Sequence, residues 1–288
     1  MSVAKRNVFI TGCSTGIGRA CVLDLTRRGF TVLAGVRKTA HAQELEQACG
    51  SAQGVIIDVT DTGSIAAAAE KVRQIVGDAG LVGLINNAGV SVHGPVEHVP
   101  LCEWRRQFEV NFFGQIAVTQ AMLPLLRQGV ATHGMGASRI VMMSSIAGLI
   151  AQPIVAPYNA SKYALEAVGD SLRMELRRQG IKVCLVEPGA IDTPIWNKTE
   201  TNGSIFPPDH PARKLYSSTI DGVLKAARRA AAGAIPAEAV AKAVAACMTR
   251  KRPRARYVVG WDAFAGAWAK RFLPTAVMDY GVRSALGA

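Results

Sequence analysis

The chain has 288 residues, 49% of them hydrophobic and 19% charged, which is enough to bury a core as one domain and excludes a disordered or fibrous class. No uncharged run reaches the roughly 18–20 residues that span a bilayer, and the N-terminus runs directly into a strand-like stretch, so a soluble, cytoplasmic protein is expected. The formal net charge is +12, but the densest basic cluster, Arg250, Lys251, Arg252, Arg254 and Arg256, carries no interleaved aromatic residue before Tyr257 and reads as a solvated loop, so nucleic acid is not an expected partner.

Six scattered cysteines lack the close spacing of a metal or redox pair and read as reduced thiols. His41, His93, His98, His133 and His210 show no metal-ligand spacing, and no metal is expected.

Short apolar runs alternate with segments of helical period. Asn7–Thr11 reads as a strand, 17–28 as a helix, Thr31–Val36 as a strand, 42–49 as a helix and 54–58 as a strand. A helix over 64–76 and a strand over 82–86 follow, then a long helix over 102–127 and a strand over 138–144. The remainder reads as a helix over 158–178, a strand over 181–187, a helix opening at Pro236, where proline suits the first turn, and a strand over 256–259. Ala226–Ala234 fits either a helix or a mobile lid. Strands separated by helices of this length imply an α/β fold, a parallel sheet covered on both faces.

The first strand runs straight into Thr11-Gly12-Cys13-Ser14-Thr15-Gly16-Ile17-Gly18, and a helix follows. Glycines there let backbone amides approach a pyrophosphate, and the helix N-terminus offers free N–H groups and a partial positive charge. Three residues separate the first two glycines and one separates the last two, unlike G-x-G-x-x-G.

This spacing resembles the short-chain dehydrogenase/reductase family, and the C-terminal extension together with Leu33-Ala34-Gly35-Val36-Arg37 resembles its hydroxysteroid and retinol dehydrogenase branch. The resemblance implies a single-domain, doubly wound, Rossmann-like sheet over 1–260, with a substrate lid over about 194–235 and a C-terminal extension over 261–288. It also assigns roles. Gly12, Ser14, Thr15, Gly16, Ile17 and Gly18 would cradle the dinucleotide, Asp58 and Val59 would meet its adenine, and Asn87, Ala88 and Gly89 its ribose. Pro188, Gly189, Ile191 and Thr193 match positions that hold the nicotinamide.

The second strand ends Val36-Arg37-Lys38, where an NAD-specific relative would place a carboxylate for the ribose 2′-hydroxyl. Arg37 instead offers a planar fork suited to a 2′-phosphate, so NADP(H) is expected over NAD(H).

Tyr158 and Lys162 stand at i and i+4 and project from one helical face. A phenol, with an ordinary pKa of about 10, becomes a usable proton donor and acceptor beside an ammonium. By resemblance Lys162 also holds the nicotinamide ribose, Ser145 (selected over Ser144 by the family's spacing) donates to the substrate oxygen, and Asn111 positions a water in a proton relay. The expected activity is hydride transfer between nicotinamide and a bulky, apolar secondary alcohol or ketone. The alternative is a cofactor-binding sensor or scaffold on the same fold, against which the retention of Ser145, Tyr158 and Lys162 counts.

His93, Ser145, Ile150, Ile195 and Trp196 are candidate pocket residues. Trp261, Phe264, Trp268 and Phe272 fall on one helical face. Packing of that face in the core or a dimer is the expectation, with a lipid-surface helix or a cover for the substrate mouth as alternatives. By resemblance, a homodimer or homotetramer pairs through the long helices 102–127 and 158–178.

Overall fold

A strand in which every residue is apolar needs cover on both faces, because successive side chains point to opposite sides. The structure, a computed structural model that describes residues 5–194 and 210–286, is built on strands that are mostly apolar and mostly buried, although Asn7, Asn86, Arg139 and Glu187 are buried in them too and the third strand exposes Gln53 and Ile56. The strands are β1 (Asn7–Ile10), β2 (Thr31–Val36), β3 (Ala52–Ile56), β4 (Gly83–Asn86), β5 (Arg139–Met143) and β6 (Lys182–Pro188). Two short strands, β7 (Ile191–Asp192) and β8 (Ile235–Pro236), precede β9 (Arg256–Val259). The main sheet is parallel throughout, in the order β3-β2-β1-β4-β5-β6-β9.

The helices are α1 (Gly16–Arg27), α2 (Thr39–Ala48), α3 (Thr62–Val76), α4 (Leu101–Phe108), α5 (Gly114–His133) and α6 (Ala156–Glu175). After them come α7 (Pro211–Ala232), α8 (Ala237–Thr249), α9 (Trp261–Phe272) and α10 (Thr275–Leu286).

Two cores result, one on each face of the sheet. Val8, Ile10, Val32, Ala34, Val141 and Val186 pack toward α1, α2 and α8. Their alternating neighbours Phe9, Leu33, Ile140 and Leu185 pack toward α3, α5 and α6. The sequence-level α/β expectation therefore holds at the level of single residues. Strand order reverses between β1 and β4, and the crevice beyond the carboxyl ends at such a reversal is where this architecture binds ligands.

Several expectations need correction. The single helix over 102–127 is broken: α4 ends at Phe108, a π-helical turn spans Glu109–Phe113, and α5 then continues to His133. Asn111 sits in that turn, and its amide is committed to backbone outside the helix. Pro236 lies before α8, at the N-cap position, because it pairs in extended conformation with Asp192. Ala226–Ala234 is helical through Ala232 and forms the end of α7. The β7–β8 pair and α10 went unforeseen; two-residue strands carry no periodic signal.

The extension departs most from expectation. Trp261 is 80% exposed, and Phe264, Trp268 and Phe272 are each more than half exposed, so these rings are not part of this chain's core. What α9 buries is its other side: Ala263 is fully covered, and a Cβ on Gly266 would lie 2.8 Å from Ile150 Cδ1.

Candidate active site

The turn after β1 is fixed by backbone geometry that only glycine supplies cheaply. Gly12 and Gly16 have φ of 71° and 56°, the left-handed region that a Cβ disfavours. Gly18 is required for another reason, since a Cβ there would lie 2.2 Å from Gly12 O and 2.6 Å from Asn87 Nδ2. The helix thus packs against the turn with no side chain between them. Asn87 straps the turn from the other side of the crevice, its amide donating to Thr11 O at 3.0 Å and Gly12 O at 3.1 Å. Thr11 Oγ1 in return accepts from the backbone N–H groups of Asn87 and Ala88 at 3.0 Å each.

Thr15 caps α1 in extended conformation with no side-chain bond to the helix, and the first turn holds no acidic residue. That leaves helix-terminal N–H groups and the positive end of the dipole facing the crevice, the donor set that suits a pyrophosphate. Ser14 is half-buried in the same turn, and Ile17 packs partly into the core below it. The residues present therefore fit a dinucleotide.

Arg37 and Lys38 follow β2, both exposed. Arg37 makes no hydrogen bond or ion pair among the described residues. Asp58, beyond β3, accepts from Thr60 N at 2.9 Å and Thr60 Oγ1 at 2.7 Å. Those bonds hold its carboxyl below the usual range, and the nearby Arg37 charge adds to the effect. Val59 is buried against Gly114.

Asn111 accepts from Val90 N at 2.8 Å and donates to Val90 O at 3.0 Å and Ser161 Oγ at 3.3 Å. Both amide protons are used. Gln107, one turn earlier on the same face, holds the adjoining backbone: it accepts from Val92 N at 2.7 Å and donates to Val90 O at 2.9 Å. Sequence reading missed Gln107, although its i−4 relation to Asn111 was available. His93 lies just beyond this strap, within 3.2 Å of Ser91 Oγ, and burial lowers its pKa to about 4, so its ring is neutral at physiological pH.

Ser144 and Ser145 follow β5 and point to different sides. Ser145 lies near enough to the Tyr158 phenol to lower its pKa, whereas Ser144 Oγ lies by Gly148. Ser145 Oγ is also 3.4 Å from Pro188 O. Pro157 stands in the first turn of α6, and Tyr158 follows it at the mouth of the crevice. Lys162 Nζ is 5.6 Å from the Tyr158 ring centroid and donates to Met143 O at 2.7 Å. Burial lowers the Lys162 pKa to about 8, with Glu166 pulling the other way. Burial also raises that of Tyr158, partly offset by Ser145.

The segment after β6 closes the site. Pro188 pairs with Val259, Gly189 N donates to Val259 O at 2.9 Å, and Ile191 is buried in its pairing with Ile235. Thr193 approaches the glycine turn, and a Cβ on Gly16 would lie 3.1 Å from Thr193 Cγ2. Asp262 of α9 accepts from Ala190 N at 2.7 Å, a tether that sequence reading did not anticipate. A recess of about 430 Å³ is lined by Gly16, Thr193, Pro194 and Glu238, among others, and includes neither Ser145 nor Tyr158. Ile150 lies under α9, and Ile195 and Trp196 lie outside the described residues.

Comparison with known proteins adds independent evidence. The family model described as short chain dehydrogenase matches residues 6–203. An NADPH-dependent 3-dehydrocapnine reductase of Ornithobacterium rhinotracheale is 34% identical over 95% of each chain. The 17-beta-hydroxysteroid dehydrogenase type 6 of Bos taurus is 39% identical over 95% of this chain and 86% of its own. A short chain dehydrogenase from Burkholderia cenocepacia J2315, solved in complex with NADP, superposes with a TM-score of 0.72 at 25% identity, over 97% of this chain and 98% of its own. With the glycine cradle, the widened helix turn and the serine–tyrosine–lysine cluster in one crevice, the chain belongs to the short chain dehydrogenase family.

Proposed function

We propose that this oxidoreductase uses NADP(H) to interconvert a bulky, apolar secondary alcohol and its ketone, with Tyr158 as the proton donor and acceptor. The observation that carries the reading is the convergence of Ser145, Tyr158 and Lys162 at the carboxyl ends of β5 and β6.

The bound nicotinamide supplies or accepts the hydride. The protein's own residues do the rest. Ser145 donates a hydrogen bond where negative charge develops on the substrate oxygen. Tyr158, kept protonated by burial, delivers its proton to that oxygen in reduction and takes it back in oxidation. The Lys162 ammonium favours the phenolate left behind and, by the family resemblance, would hold the ribose hydroxyls. Asn111 and Gln107 hold the 90–92 backbone beside them.

The unpaired Arg37 guanidinium at the end of β2 supports NADP(H), as do the names of the NADPH-dependent relative and the NADP complex. The apolar substrate rests on the likeness to the hydroxysteroid dehydrogenase and on Ile146 and Ile150 beside Ser145. Pairing of chains through α4–α5 and α6 fits the exposure of Leu101, Phe113, Tyr163 and Met174 on those helices.

Parallel titration with NADPH and NADH, followed by tryptophan quenching, tests the cofactor assignment. NADPH is expected to bind at least tenfold more tightly, with the difference lost in Arg37→Ala; equal binding overturns it. A panel of steroid and long-chain ketones then tests the reaction. Tyr158→Phe is expected to lower kcat by about 10²–10⁴, the usual worth of a positioned acid, while NADPH binding survives. Undiminished turnover in that variant overturns the mechanism. NADPH binding without turnover of any ketone would favour the sensor.

A further inference from the structure

Tyr158 and Lys162 are the first two members of a longer stripe. Glu166 and Asp170 continue it at i+4 steps along the same face of α6. Lys162 is 3% exposed and Glu166 7%, so the ammonium and the carboxylate one turn behind it are both sealed from water. Gly148 closes the seal: a Cβ there would lie 3.1 Å from Lys162 O and 3.2 Å from Glu166 Cγ.

Behind the stripe stands Arg256 of β9. Its Nη2 is 3.1 Å from Glu166 Oε2 and 2.8 Å from Asp170 Oδ2, and its Nε is 3.1 Å from Glu187 Oε1. Glu187 belongs to β6, is fully buried, and among the described residues neither of its carboxylate oxygens has a hydrogen-bond partner, Oε1 meeting Arg256 as an ion pair only. Glu187 also directly precedes Pro188, whose carbonyl faces Ser145. One guanidinium therefore serves three carboxylates. The groups facing Glu166 are Lys162 and Asp170 from α6, Ser144 from the end of β5, Glu187 from β6 and Arg256 from β9.

We propose that Glu166, held in place by Arg256, is a positioning residue that keeps the Lys162 ammonium charged during turnover, with Glu187 completing the network. A lysine buried without a nearby anion sheds its proton. An unpaired lysine beside Met143 O would be neutral over much of the working range. With the Glu166 carboxylate behind it, it retains the charge that Tyr158 needs. Burial pushes the Glu166 carboxyl upward, and Ser144 and the Arg256 charge oppose that, so Arg256 helps to keep Glu166 ionised. Two elements distant in sequence, β6 and β9, thus act on the tyrosine through one side chain.

The proposal rests on the catalytic reading of Tyr158 and Lys162, but its test does not need a substrate. Lysine labelled with ¹³C at Cε is titrated by NMR in the intact chain, and the Lys162 signal is assigned by its loss in Lys162→Arg. Glu166→Gln is expected to lower the Lys162 midpoint by at least one pH unit, a tenfold loss of charged lysine at a given alkaline pH, and Glu166→Asp to restore part of it. The alkaline limb of kcat/KM for androstenedione, or for another ketone turned over by the unaltered enzyme, should move with it. A Lys162 midpoint that stays within 0.3 units in Glu166→Gln overturns the proposal, even if activity falls. Arg256→Gln is expected to lower the Lys162 midpoint in the same direction; if that variant does not fold, the double variant Glu166→Gln, Glu187→Gln, which removes the buried carboxylates that need Arg256, is expected to show the lowered midpoint instead. An unchanged rate in Tyr158→Phe would instead refute the catalytic reading and leave the lysine titration standing.

Discussion

The sheet and the C-terminal helices α9 and α10 are made of the same kinds of residue and meet opposite fates. In β1 and β5 every residue is buried, and consecutive side chains enter different cores. In α9 a regular aromatic stripe faces outward, with Trp261 80% and Trp268 57% exposed. The apolar runs of the main sheet and the aromatic period of α9 were readable. The difference is that a strand within a parallel sheet has both faces committed by its neighbours, whereas an amphipathic helix states only that something apolar belongs on one side. Periodicity fixes the face and leaves the occupant open.

The largest expected effect lies where the sheet region tolerates least. A valine at Gly18 would drive its Cβ into Gly12 O, which would lie 2.2 Å away, and into the Asn87 amide. Backbone cannot yield there without opening the turn. Gly18→Val is expected to cost more than about 3 kcal/mol by urea unfolding and to abolish NADPH binding. Gly266→Ala in α9 is the matched control. Its Cβ would meet the flexible end of Ile150, so a cost below about 1 kcal/mol is expected. Equal losses would erase the contrast between the two regions.

The difference in legibility extends to the site. The glycine turn and the Tyr158–Lys162 pair stood out as local patterns, and Asn87 and Ser145 through the family resemblance; the structure places Asn87 against the glycine turn and Ser145 and Lys162 at the ends of β5 and β6. Gln107, Asp262 and Arg256 did not stand out. Their partners are Val90 and Val92, Ala190, and the Glu166–Glu187 pair. Only the i−4 relation of Gln107 to Asn111 was local; the contacts of Asp262 and Arg256 depend on which elements become neighbours, and no local spacing encodes that. The π turn at Asn111 hid for the same reason: its cause is the backbone of Val90, twenty-one residues away. Arg256 was read as part of a solvated basic run, yet it alone of that cluster turns inward onto buried carboxylates.

Glu187 gives the next largest effect and places a pH dependence in the sheet region. Burial, reinforced by the Glu166 charge, raises its pKa from 4.5 to about 7, and Arg256 opposes the rise. The folded state thus binds this proton more tightly than the unfolded one. The associated stability is fully present below pH 4.5 and is lost as pH rises through 7. Relative to Glu187→Gln, the unaltered protein should lose on the order of 2–3 kcal/mol between pH 4.5 and 8, read by denaturant unfolding at a series of pH values. Parallel pH profiles for the two proteins would mean that Arg256 neutralises Glu187 completely.

Gln107 sharpens the comparison at the crevice. It is fully buried, and removing it leaves Val92 N without its acceptor. Gln107→Ala is expected to cost about 1–3 kcal/mol, the penalty of a buried donor left unmade. It should also raise KM for the ketone several-fold as the 90–92 backbone loosens beside His93. A stability loss with an unchanged KM would place the strap in the fold and outside the site.

The smallest effect falls on the aromatic stripe, and it is the most discriminating. If solvent covers α9, then Trp261→Ala and Trp268→Ala remove little that is buried in the fold, and each should change stability by less than about 0.5 kcal/mol. That change should be the same at every protein concentration. If another molecule covers the stripe, the cost appears only under conditions where that contact forms, and a midpoint that rises with protein concentration in the unaltered chain and not in Trp268→Ala marks a second copy. Asp262 ties the outcome to the site, because its carboxylate holds Ala190 N while Trp261 and Phe264 stand exposed on either side of it. A contact that stiffens α9 should therefore reach the Gly189–Ala190 backbone, and removal of the two tryptophans should alter NADPH affinity only in the case where the stripe is covered.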